Sequence, residues 1–173
     1  VKKLFFIIAI PFVILMAAPH AYSAVWSSNP CAKVSKSIYV DTSTRLLYLC
    51  KDGSPDGTYK VSLGRKGVGK TRQGDEKTPL GTYSLGHPRK SNEGFGTFIN
   101  VGYPTRAQRS KGYTGSAIGV HGPKQKLRFF GPLSSFVDWT AGCIALATNK
   151  EMTEIAKWVK KNRVGKIHVR RGS

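Results

Sequence analysis

The chain has 173 residues, with 28 Lys and Arg against 9 Asp and Glu, and a formal net charge of +19. That length gives one ordinary domain a real core and leaves too little for two. So basic a balance excludes an acidic solvating protein and calls for an anionic partner, unless the charge serves only solubility.

The compartment decides which anion. Residues 1–24, VKKLFFIIAIPFVILMAAPHAYSA, place Lys2 and Lys3 before an apolar run from Leu4 to Ala18, and end on the small residues Ala21, Ser23 and Ala24. This is the three-part layout of a secretory signal peptide. The run is broken by Pro11 and is shorter than the ~20 residues of a membrane span; the alternative is an uncleaved N-terminal anchor. Either way the remainder is expected to be exported, to the periplasm or cell wall. Cleavage removes two lysines and no acid, leaving about 149 residues and a charge of about +17. The partners then expected are anionic envelope polymers (carboxylate-bearing peptidoglycan, teichoic acids, lipid head groups) and not nucleic acid.

Residues 25–36 form an irregular N-terminal arm, and the folded domain occupies 37–173. SIYVD (37–41) and TRLLYLC (44–50) flank a Thr/Ser turn and read as a β-hairpin. KDGSPDG (51–57) is turn chemistry throughout. TYKVSLG (58–64), GTYSLG (81–86), GTFINVG (96–102) and AIGVHG (117–122) are further strand candidates. YPTRAQRSKG offers a two-turn helix, started by Pro104 and stopped by Gly112. One helix is strongly signalled: Thr148 and Glu151 make a capping box, and Met152, Ile155, Ala156 and Val159 follow on one face. Lys157, Lys160 and Lys161 suit its C-terminal dipole, and Gly165 is placed to end it in the left-handed region. KIHVR (166–170) returns as a strand. The fold class is mainly β, a β-rich α+β domain with one late amphipathic helix packed on a sheet.

GRKGVGKT (64–71) fits the phosphate-loop pattern G-x-x-x-x-G-K-[ST]. The pattern works only where a helix starts at the Lys-Thr. Here RQGDEKTPLG follows, with Gly74, Pro79 and Gly81 and no apolar helical spacing. No nucleotide is expected. His87 and His168 lack partners at ligand spacing, and no Cys-x-x-Cys occurs; no metal and no cofactor are expected.

Most of the reactive groups lie in VHGPK (120–124) and DWTAGCIAL (138–146). Cys143 follows Gly142, so a sharp turn can project the thiol while the Gly142 and Cys143 amides face one oxyanion. His121 ends a strand where its imidazole can promote the thiolate, with the Gly122 carbonyl available to fix the ring tautomer. Each feature also has an ordinary structural reading, a buried cysteine and a hydrogen-bonded histidine. A reactive nucleophile must stay out of a bridge, which leaves Cys31 and Cys50 to pair and tie the arm onto the sheet. That cross-link, 19 residues apart in sequence, would contribute about 3 kcal/mol on the chain-entropy model.

At these residues the sequence resembles the L,D-transpeptidases, whose YkuD-type domain carries a His, a variable stretch, then Ser/Thr-His-Gly-Cys. His121, Thr140, Gly142 and Cys143 take the matching places. IYVDTSTRLLYLCKDG resembles the family's opening hairpin, GDEKTPLGTYSLG its TPxG strand entry, and ATNKEMTEIAKWV the helix after the cysteine. The resemblance spans about residues 37–170 and gives GRKGVGKT the duller task of a glycine-rich connection. It implies a mixed β-sandwich or barrel-like catalytic domain acting, as a monomer, on peptidoglycan stem peptides. Two positions depart from the pattern: Ala141 stands where the motif has its second histidine, and Ala145 where many members have Arg or Asn. Members with a replaced second histidine include some that resemble peptidoglycan hydrolases.

The resemblance implies acyl transfer without a cofactor. The Cys143 thiolate attacks a stem-peptide carbonyl, the Gly142 and Cys143 amides hold the oxyanion, and His121 protonates the leaving amine. The same pair would serve a hydrolase, and loss of catalysis would leave a basic wall-binding protein. Thr140, Lys124 and Arg128 are the expected substrate contacts. The last two lie in a segment, Lys124 to Phe136, expected to act as a flap whose cations meet carboxylates.

Overall fold

The computed structural model describes residues 29–124 and 137–172. The segment expected to be a signal peptide, the start of the arm, and Arg128 with most of the expected flap lie outside the described residues. Strand β1 (Ser37–Asp41) pairs antiparallel with β2 (Leu46–Lys51), as the alternation requires. Ile38, Val40, Leu47 and Leu49 are buried on one face, while Tyr39 and Tyr48 meet edge-on across the other. Cys31 and Cys50 form a disulfide and Cys143 is free.

KDGSPDG is less of a turn than its composition suggests. Asp52 (φ 49°) and Gly53 (φ 79°) alone make a tight hairpin turn, and β3 (Ser54–Ser62) begins at once. Pro55 is tolerated because the β2–β3 register shifts between Leu49 and Cys50, a bulge at which a missing N–H does no harm.

Strands β4 (Gly81–Ser84), β6 (Thr97–Asn100) and β7 (Gly119–His121) fall inside the expected segments. Helix α1 (Arg106–Ser110) starts from a Thr105–Gln108 capping box, one residue after Pro104, and Gly112 follows its C-cap. Helix α2 (Asn149–Asn162) has the expected box and buries Met152, Ile155, Ala156 and Val159. Its left-handed residue is Arg163 (φ 53°) and not Gly165. The turn must come directly after the last helical residue, so that the Val164 N–H can reach the Val159 carbonyl at 3.0 Å. β9 (Lys166–Arg170) occupies the span read for it.

Two strands escape sequence reading. β5 (Arg89–Lys90) is too short to show a period, and β8 (Ile144–Leu146) is buried at every position, so it cannot alternate. The nine strands form one mixed sheet in the order β4-β9-β1-β2-β3-β8-β7-β6-β5. It curls on itself: Leu85, just past β4, bridges Val101, just past β6, and the Gly86 N–H donates to the Asn100 carbonyl at 2.8 Å. The core fills the inside of this curl, with the apolar face of α2 packed against it.

Candidate active site

Two parallel strands bring the reactive residues together. β7 pairs with β8 in the register Val120–Ile144 and His121–Ala145, which sets Cys143 opposite Gly119, two residues from His121. Gly142 makes the approach to β8 possible. Its φ of 131° belongs to the left-handed side, and a Cβ there would lie 2.7 Å from the Lys77 carbonyl oxygen.

Thr140 braces this turn from inside. It is buried; its Oγ1 donates to the Cys143 carbonyl at 2.7 Å and accepts from the Gly142 N–H at 3.1 Å. Two expectations change as a result. The hydroxyl expected to contact substrate is engaged within the turn, and so is the Gly142 amide expected to share the oxyanion. Of the two amides expected at the oxyanion, that of Cys143 is the candidate that remains. Asp138 is also structural: its Oδ1 accepts from the Leu63 N–H at 2.9 Å and lies 3.6 Å from Arg45 Nη1.

His121 is 1% exposed. Its ring centroid lies 4.0 Å from that of Phe95 and 6.0 Å from those of Phe98 and Trp139. Nδ1 lies 2.6 Å from the Gly122 carbonyl oxygen. A carbonyl can only accept, so Nδ1 carries the proton and Nε2 keeps its lone pair. Burial among these aromatics lowers the imidazole pKa to about 4; the Gly122 hydrogen bond opposes the shift and the charge of Lys124 adds to it. The half-buried Cys143 thiol donates to the Ala117 carbonyl at 3.5 Å. Burial pushes its pKa up, and Glu93 adds to that, while the Gly119 backbone, Lys70 and Lys124 pull it down. Both shifts favour a neutral imidazole beside a protonated thiol at rest.

Both side chains line one cleft of about 480 Å³, which Lys124 and Ala141 also line. Ala141 is exposed there, whereas Ala145 is fully buried. The sequence reading missed Arg65, Lys70 and Glu93 in the same cleft. For Arg65 and Lys70 the signal was present in GRKGVGKT. Gly64 passes so close to its neighbour that a Cβ would meet the Glu76 carbonyl oxygen at 2.4 Å. The N–H groups of Gly67, Gly69 and Lys70 bond to carbonyls of the fold, and no helix follows Thr71. With these amides engaged and no helix N-terminus behind them, the loop lacks the cradle a phosphate needs. It instead delivers Arg65 and Lys70 to the cleft wall, Lys70 being held by Asp75 Oδ1 at 2.8 Å and the Arg72 carbonyl at 2.9 Å.

The model of a family described as the L,D-transpeptidase catalytic domain, YkuD, matches residues 35–169. YafK of Escherichia coli K12, placed among the L,D-transpeptidases by its name, is 32% identical over 104 residues, covering 59% of this chain and 36% of YafK. The helical cell shape determining protein Pgp2 from Campylobacter jejuni superposes with a TM-score of 0.64 at 25% identity, over 79% of this chain and 47% of Pgp2. Bd1075 of Bdellovibrio bacteriovorus shares the fold at a TM-score of 0.56 and 21% identity, over 79% of this chain and 48% of its own. The chain therefore spans 36% to 48% of the length of these relatives.

Proposed function

The chain belongs to the L,D-transpeptidase catalytic domain family, and from that premise we propose that it is an exported cysteine acyltransferase acting on peptidoglycan stem peptides. The observation that carries this reading is the free Nε2 of His121, held in one cleft with the Cys143 thiol by the Nδ1 bond to Gly122. As Sγ attacks the carbonyl of a diamino acid joined to terminal D-alanine, Nε2 takes the thiol proton. The imidazolium returns that proton to the leaving amine as the C–N bond breaks, and a thioester remains on Cys143. An acceptor amine, or water, then attacks the thioester while Nε2 takes its proton, and the departing sulfur regains one. The Cys143 amide faces the oxyanion, and Lys124, with Arg128 from the neighbouring segment, attracts stem-peptide carboxylates.

Hydrolysis is the second reading, and Ala141 favours it. A methyl at the cleft edge offers an incoming amine no hydrogen bond, and water needs less guidance. By analogy with Pgp2, a helical cell shape determining protein, either activity would serve remodelling of the wall. Incubation with tetrapeptide muropeptides separates the outcomes. Cross-linked dimers mean transfer, and tripeptides alone mean hydrolysis. No product, with no carbapenem adduct on Cys143 by mass spectrometry, means a basic wall-binding protein and rejects the enzyme.

A further inference from the structure

A second concave surface lies on the other face of the same sheet edge. Lys90 of β5 and Lys157 and Lys160 of α2 line a groove of about 460 Å³, together with the hydroxyl-bearing Thr97 and Thr153; Arg89 borders it too, but lays its guanidinium over the Phe98 ring, 5.1 Å from the centroid. No residue lines both this groove and the catalytic cleft. The separation follows from the strand period: on β6, Phe98 points to the cleft and Thr97 to α2.

No carboxylate lines the groove. All nine acids of the chain are among the described residues, and most are engaged elsewhere. Asp41 holds Ser43, Asp56 the Trp158 indole, Asp75 Lys70, and Glu76 both Arg65 and Lys66. Asp138 pairs with Arg45, Glu151 caps α2, and Glu154 meets Tyr59. Among the described residues none of the three groove lysines forms an ion pair. Three like charges around one concavity repel each other until an anion enters.

Two chemistries converge here. β5 ends the sheet, so its outer edge offers backbone groups to an extended peptide, as edge strands do. The cations offer sites for carboxylates. A peptide bearing carboxylates uses both; a phosphodiester polymer uses only the second, and a flat lipid surface cannot enter a groove. We infer that this groove binds the stem peptides of a peptidoglycan strand other than the one in the cleft, anchoring the domain to its polymeric substrate. The identity of the ligand rests on the proposed function; the anion site itself does not.

The test uses purified sacculi, and a variant with Lys90→Gln, Lys157→Gln and Lys160→Gln. Placed in a Cys143→Ala background, this variant should lose about tenfold or more in sacculus co-sedimentation and most of its salt dependence. In the active protein it should turn over soluble tetrapeptide within about twofold of wild type, while turnover of intact sacculi falls with binding. Arg-for-Lys exchange at the three positions should restore binding, which separates charge from misfolding. Unchanged sacculus binding overturns the inference. So does a loss confined to binding of teichoic acid or of phosphatidylglycerol vesicles. Because the binding arm uses Cys143→Ala, it reads the groove even if the catalytic reading fails.

Discussion

The protonation state of the Cys143–His121 pair sets how the protein should respond to a thiol reagent. A drop in imidazole pKa from an ordinary ~6.5 to about 4 disfavours the imidazolium by about 3 kcal/mol, at ~1.4 kcal/mol per pKa unit. Burial also disfavours the thiolate. Both changes act against a resting ion pair. An ordinary thiol near 8.5 is already only about 3% ionised at pH 7, and burial lowers that fraction further. Alkylation of Cys143 by iodoacetamide should therefore rise about tenfold per pH unit from pH 6 to 8, with no plateau, because the thiolate is the reacting form. His121→Ala should leave that slope unchanged. Acylation by a carbapenem should behave differently, because there the imidazole removes the proton during attack. It should stay active to about pH 5, where an ordinary histidine would already be protonated, and His121→Ala should slow it ~10²–10⁴-fold. A pH-independent alkylation shoulder between pH 5 and 8, lost on His121→Ala, would show a resting thiolate–imidazolium pair and refute the argument.

Thr140→Val keeps the shape of the turn brace and removes its bonds at 2.7 and 3.1 Å. It should cost about 1–3 kcal/mol in thermal unfolding and slow carbapenem acylation; unchanged acylation would mean the turn holds without the hydroxyl. His121 is neutral in the fold, while the unfolded chain takes a proton below ~6.5, so its stabilising contribution is complete above that pH. Stability should fall as pH drops from ~6.5 towards ~4, by up to about 3 kcal/mol. His121→Phe should flatten that part of the melting profile. Ala141→His should alter the rate or acceptor choice less than His121→Ala does. If mass spectrometry finds an adduct on Cys143 only after Ala141→His, the wild type is inactive.

Where pattern and fold agree, the reason is local. The β1–β2 hairpin and α2 each carry their own period, caps and turn residues, so short windows suffice to find them. β8 could not be found this way. A strand buried on both faces has no alternation, and Ile144–Leu146 is three residues long. The site divides along the same line. Cys143 and His121 stand out by residue type and by their glycine neighbours. Lys70 and Arg65 become part of the cleft only because the sheet curls, and no window of sequence contains that information. The roles first read for Thr140 and Gly142 changed because a hydroxyl within the turn reaches both the Gly142 amide and the Cys143 carbonyl.

The GRKGVGKT segment shows how a pattern match can point to the right residue for the wrong reason. A phosphate loop presents its lysine to an anion beside a helix N-terminus. Here the amides are turned inward, and Lys70 is buried to 4% exposure against Asp75. Asp75 is in turn fixed by the N–H groups of Thr71, Arg72 and Lys77, and Lys70, with these backbone bonds, holds its carboxyl well below the usual range, against the opposing effect of burial. The lysine is thus pinned in the cleft wall by this carboxylate, where its field favours the Cys143 thiolate. In the proposed reaction that would matter when the thioester breaks down and negative charge develops on the leaving sulfur. Burial disfavours this charge, and Lys70 is one of the cations that oppose burial. The acid partner that makes Lys70 affordable in a buried wall also keeps it from swinging out as a mobile substrate contact. Under the proposed function, the glycine-rich loop would serve catalysis as a fixed charge, and the carboxylates of the substrate would be left to Lys124 at the exposed rim.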